Sequence, residues 1–111
     1  MRVFAIEGVA VSRETLSSIT SSTGFTSSKI APTTGDYAGK RARAAIIAVE
    51  SAAIRFMLDG NAVTVTGGAS PGFILYDGDS YIITGEANVA GFRCINEAAG
   101  NGAVVRAQFL F

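Results

Sequence analysis

The chain has 111 residues, 49% of them apolar and 16% charged, and its 9 basic and 9 acidic side chains leave a formal net charge of zero. That length fits one domain, and neutrality supplies no global field to draw nucleic acid or an anionic membrane. The lack of histidine and the single cysteine, Cys94, remove a neutral-pH base, an intrachain disulfide and a paired-thiol zinc site.

A charged fraction below the ~25% usual for soluble domains predicts that part of this small domain's surface is covered by another subunit or partner. At the start, Glu7 interrupts any apolar region of signal-peptide length, so no targeting segment is expected. The next third is polar and rich in Ser and Thr. Thr15–Thr20 (TLSSIT) predicts a short strand, Gly24 a turn, and Phe25–Ile30 (FTSSKI) a second strand before Pro32. Leu16, Ile19, Phe25 and Ile30 argue against a disordered linker. Ala31–Lys40 reads as a loop. Within a single domain spanning residues 1–111, the portion 1–42 is therefore expected to form an arm or edge strands, and to supply interface residues.

From Arg43 the apolar pattern is denser. Arg43–Ser51 reads as a buried strand; its alanines allow a helix, but Ile46, Ile47 and Val49 are β-branched. The longest apolar tract is broken by Glu50 and Arg55, so it will not span a bilayer. In the next strand Ile54, Phe56 and Leu58 share the core face, opposite Arg55 and Met57. Asp59-Gly60 predicts a type I′ hairpin returning through Ala62–Thr66. Phe73–Tyr76, a turn at Asp77–Asp79, Ser80–Thr84, a turn at Gly85–Gly91, Phe92–Ile95, a loop at Asn96–Gly102 and a last strand Ala103–Phe111 follow. In that last strand Val105, Ala107, Phe109 and Phe111 align opposite Arg106 and Gln108.

About eight short strands at this spacing predict an all-β, antiparallel β-sandwich, jelly-roll-like, with an immunoglobulin-like sandwich as the alternative. Strand order is left open by the sequence.

Chemistry has few candidates. Cys94 lies in a strand pattern and reads as a buried, inert thiol. Ser70, in the loop Gly67–Gly72, has no base to activate it, and the loop lacks the Lys of a phosphate loop. Ser28 and Lys29, adjacent in a strand, would point to opposite faces. Asp77 and Asp79 could hold a proton or calcium, but turn aspartates are commoner and the other calcium ligands are missing. The cluster Lys40–Arg43 lacks aromatic interleaving and reads as a solvated loop end or a contact to a neighbouring subunit. No catalytic, cofactor-binding or metal-binding residue is expected, and no cofactor.

The run AAIIAVESAAIRFMLDG, a Gly-rich loop, LYDGDS, NVAGFRCI and a terminal VVRAQFLF, preceded by SSTGFTSSKI, resembles small structural proteins of tailed bacteriophages over Leu16–Phe111. The segment DGNAVTVTGG departs from the Pro-containing loop of that pattern. The resemblance implies a non-enzymatic virion protein, assembled in the bacterial host cytoplasm. It implies a capsid decoration or cement protein, or else a head-to-tail or tail component. Its partners would be the major capsid protein or another virion protein, and, by analogy with other decoration proteins, further copies of itself in a trimer or dimer. Two other classes remain on this fold. A carbohydrate-binding module would present surface aromatics, for which Tyr37, Tyr76 and Tyr81 are the only tyrosines; a cupin-type enzyme would need histidine ligands.

Overall fold

In the computed structural model, which describes residues 8–64, 72–98 and 102–111, eight strands form two four-stranded antiparallel sheets. The elements are β1 (Ala10–Leu16), β2 (Thr23–Gly24), the single-turn α1 (Ser27–Ile30), β3 (Ala44–Glu50) and β4 (Ile54–Met57). They continue with β5 (Phe73–Leu75), β6 (Ser80–Thr84), α2 (Glu86–Gly91), β7 (Arg93–Asn96) and β8 (Val104–Leu110). The first sheet runs β1-β8-β3-β6 and the second β2-β7-β4-β5. Only β4 and β5 are both consecutive in the chain and paired; the remaining pairings interleave distant strands, as in a jelly roll. This order replaces the immunoglobulin-like alternative.

The last strand is central. β8 pairs with β1 from Ala10↔Leu110 to Leu16↔Val105, and with β3 from Ala44↔Leu110 to Glu50↔Val104. Its inner face alternates in size against β3: Phe109 lies opposite Ala45, and Ala107 opposite Ile47. Large therefore meets small across the ladder, and all four side chains are buried. Ile54, Phe56 and Cys94 face them from the second sheet as members of the same core.

The polar first third joins this core. β1 and β2 are edge strands, one in each sheet, and Leu16, Ile19 and Ala42 are buried. Phe25 stacks on Phe92 at 4.5 Å and meets Phe109 edge-on at 4.7 Å. Leu16, Ile19, Phe25 and Ala42 thus pack inside their own chain.

Several elements differ from the sequence expectation. The first strand lies upstream of Thr15–Thr20, at Ala10–Leu16, because that segment finds β8 as its partner. Gly24 belongs to β2 and pairs with Arg93, rather than marking a turn. Phe25–Ile30 is not a strand. The Glu14 carboxylate accepts the Thr26 N–H and hydroxyl, and the Thr26 carbonyl accepts the Lys29 N–H at 2.9 Å, closing α1. Gly85–Gly91 holds α2, anchored by buried Val89.

Asp59-Gly60 heads no type I′ hairpin. Gly60 has φ +81°, but Asp59 is not in the left-handed region, and its Oδ1 accepts the Asn61 N–H at 3.0 Å. Both edges of β4 are already taken, by β5 and β7. The Gly60 N–H instead donates to the Gly91 carbonyl at 2.9 Å. A Cβ on Gly91 would collide with the Leu58 carbonyl, so only glycine fits this crossing. The returning strand expected through Val65 lies partly outside the described residues. Asp77–Asp79 is a turn, as expected, but it carries the chain from one sheet to the other.

The ladder makes the C-terminal phenylalanines structural. Phe109→Ala should lower stability by about 3–5 kcal/mol, measured by urea unfolding. An unchanged midpoint would contradict the central placement of β8.

Candidate assembly surface

Aromatic side chains run from the core to the surface as one connected series. Phe109 meets Phe25, Phe25 meets Phe92, and Phe92 meets Phe56 with centroids 6.0 Å apart. Phe56 then touches Tyr81 at 5.3 Å and Phe73 at 6.1 Å. Phe73 is on β5 and Tyr81 on β6, the terminal strands of the two sheets. Their common contact with Phe56 places both edges on one side of the sandwich.

Register shows that these two residues point inward. Phe73 is the partner of Phe56, and Tyr81 of Ile47, both core positions. Partners across a ladder share a face. Yet Phe73 is 70% exposed and Tyr81 38%, with Tyr76 in the adjoining turn 59% exposed. Among the described residues the layer between the sheets is therefore open along the β5/β6 seam. Large aromatics turned toward a core layer but left in water are the composition of a contact surface.

A second feature lies where β3 begins. A groove of about 600 Å³ is lined by Lys40, Arg41, Arg43 and Glu86 together with Val9, Tyr37, Gly39 and Phe111. Tyr37 packs on Phe111 at 5.4 Å, and the Lys40 ammonium lies 5.6 Å from the Tyr37 ring centre. Among the described residues the ion pairs are Arg55–Glu97, at 2.5 Å, and Arg106–Glu50. Neither uses the cations of the groove. Lys40, Arg41 and Arg43 thus line one open groove, while Ala42 between them is buried.

The opposite end of the sandwich carries the acidic turn. Asp79 Oδ2 accepts the Tyr76 N–H at 2.8 Å, and Asp77 Oδ1 accepts the Ser51 N–H at 3.0 Å. Ser51 is held at φ +75°, a costly conformation for a residue with a side chain. Both carboxylates thereby fasten the β3–β4 and β5–β6 connections, the turn role read from the sequence. Among the described residues, no three His, Cys, Asp or Glu side chains gather into a metal-binding group.

Cys94 is fully buried on β7, paired with Phe56. Burial pushes its thiol from 9.0 up to about 12, and neighbouring Arg93 offsets this only in part. Arg55, on the face opposite Ile54 and Phe56, is half-buried and bonds Glu97, as well as the Gly72 carbonyl at 3.0 Å. Ser70 and the loop 67–71 lie outside the described residues. Sequence reasoning missed Phe73 as a surface residue. Its alternation marks it as core, and only the strand order shows that β5 ends its sheet with no described strand beyond it.

The chain matches no protein-family profile, no curated protein and no solved structure.

Three measurements follow from this geometry. Because folding raises the Cys94 pKa, its contribution to stability is complete below about pH 9 and is lost as pH rises toward 12. Cys94→Ala should therefore lose less stability than the parent over that alkaline window, and equal losses would show that the thiol is not the titrating group. Asp77→Ala should destabilise by roughly 1 kcal/mol, as for loss of one charged hydrogen bond. Calorimetric titration of the parent with Ca²⁺ should be silent; micromolar binding abolished by that substitution would make the turn a metal site.

Proposed function

We propose that this chain is a non-enzymatic virion structural protein that acts by surface contact, as a capsid decoration or cement protein of a phage head. The observation that carries the contact role is the β5/β6 seam, where core-directed aromatics reach the surface. The phage assignment rests on the resemblance of Leu16–Phe111 to small phage structural proteins. The jelly roll is compatible with it, since that architecture serves capsids, but it also serves lectins and cupins and does not choose among them. The zero net charge and the lack of histidine are in keeping with a contact role. In this reading the partners are the major capsid protein or another virion protein, and the site of action is the virion. A head-to-tail or tail part would use the same surface.

A carbohydrate-binding role is the second reading. The exposure of Phe73, Tyr76 and Tyr81 favours it, because aromatic faces in water can stack on sugars.

Purified protein mixed with undecorated cognate heads should pellet with them. Phe73→Ser should weaken that association while leaving the thermal midpoint nearly unchanged, because Phe73 is already 70% exposed. Protein that stays in the supernatant, and is absent from purified virions by mass spectrometry, would sink the virion reading. Oligosaccharide binding that is lost in Tyr76→Ala would support the second reading instead.

A further inference from the structure

The two sheets end in four edge strands, and three of the outer edges are guarded. β1 carries Arg13 and Glu14, has an irregular register at Ala10/Ser12, and is bound by the α1 segment through Ser12 and Glu14. β2 has two residues and β5 three, too short to template a partner strand. β6 is different. Its five residues, Ser-Tyr-Ile-Ile-Thr, contain no charge and no proline, and pair without a break from Ala44↔Thr84 to Ala48↔Ser80. An edge of this kind, flat and uncharged, pairs with another strand unless something blocks it.

The hydrogen-bond phase of β6 identifies the groups on offer. The Val49 N–H donates to the Asp79 carbonyl at 2.9 Å, and the Val49 carbonyl accepts the Gly78 N–H at 2.8 Å. The odd-numbered residues of β6 therefore bond to β3, and Ser80, Ile82 and Thr84 turn their N–H and C=O outward. The Thr84 carbonyl is taken by Asn88 at 2.9 Å. The rest form a short antiparallel template that is complementary to itself about Ile82.

Charge decides how a second copy would lie. β3 and β6 are antiparallel, so the acidic turn with Asp77 and Asp79 sits at the start of β6, and the groove with Lys40, Arg41, Arg43 and Glu86 at its end. A two-fold axis through Ile82 sets Ser80 opposite Thr84 and Asp79 opposite Gly85 of the other copy. Gly85 is bonded to Arg43, at the groove. Each acidic turn then faces the other copy's basic groove, two carboxylates against three cations and one carboxylate. On the inner face Tyr81 comes opposite Ile83 of the other copy, which extends the core layer across the seam.

We propose that a second copy of this chain pairs antiparallel along β6 about Ile82, joining the first sheets into one of eight strands and laying each Asp77–Asp79 turn against the other's Lys40–Arg43 groove. The inference deepens the assembly part of the proposed function and does not need the virion assignment, so its test uses the purified protein without heads.

Light scattering over a dilution series should show a dimer that dissociates on dilution and more readily at high salt. Ile82→Pro replaces the half-buried Ile82 side chain and removes an outward N–H, but no hydrogen bond to β3, and should weaken the dimer by at least about tenfold. Lys40→Glu combined with Arg41→Glu should weaken it as well. Ile82→Cys should cross-link the copies on mild oxidation, because hydrogen-bonded antiparallel partners lie about 5.5 Å apart, within disulfide reach. Arg13→Cys, on the guarded edge, should not. If Ile82→Pro fails to fold, the cross-link and the charge variants decide the matter alone. A monomer at every concentration, a trimer, or a dimer in which Ile82→Cys does not cross-link would overturn the proposal.

Discussion

Everything in this fold depends on the last strand being held between the first and the third. β8 cannot form its ladder until β1 and β3 are in place, and it supplies Val105, Ala107 and Phe109 to the inner face. Chain positions a hundred residues apart, Ala10 and Leu110, are brought into register by that strand. Such long-range pairing makes folding slow relative to helical domains of this size, because loop closure precedes the contacts that reward it. It also fixes the remaining geometry. With β8 and β3 in the middle of one sheet, β1 and β6 become its edges. The second sheet, built on β7 and β4, ends at β2 and β5.

The two sides of the sandwich are then treated differently. On the β1/β2 side, Glu14 and Ser12 tie the α1 segment over the edge, and Phe25 enters the core from behind it. On the β5/β6 side nothing comparable among the described residues covers Phe73 and Tyr81. The aromatic series that begins at Phe109 ends there in water. A domain with only 16% charged residues has little polar surface to spare, and among the described residues the seam carries three of the five exposed large apolar side chains, Phe73, Tyr76 and Tyr81, the others being Val9 and Val11. In the proposed assembly role, this asymmetry would let the guarded side keep the fold from pairing indiscriminately while the open side offers the contact.

Much of the architecture was legible in the residues. Alternation in Ala44–Glu50, Ile54–Met57 and Val104–Leu110 marks strands and their core faces, because a strand's side chains repeat with a period of two. The first third was read less well. Ser and Thr are compatible with strands, turns and single helical turns alike, and what selects among them at Ala10–Leu16 and Ser27–Ile30 is tertiary: pairing with β8 in one case, the Glu14–Thr26 bonds in the other. Asp59-Gly60 shows the same limit. Its local preference for a hairpin is overridden because β4 has neighbours on both edges. The exposed aromatic seam was the least legible feature. Phe73 and Tyr81 obey the alternation of buried residues, and their exposure follows from strand order, which a one-dimensional pattern does not contain.

Amide hydrogen exchange, resolved by residue at low and high protein concentration, tests this account most directly. The account predicts that Ala107 and Phe109 in β8 exchange slowest at both concentrations, through global unfolding, while the Ile82 amide exchanges fast in dilute protein and becomes protected as concentration rises. An Ile82 amide whose protection does not change with concentration, or a concentration-dependent change confined to β1, would contradict it.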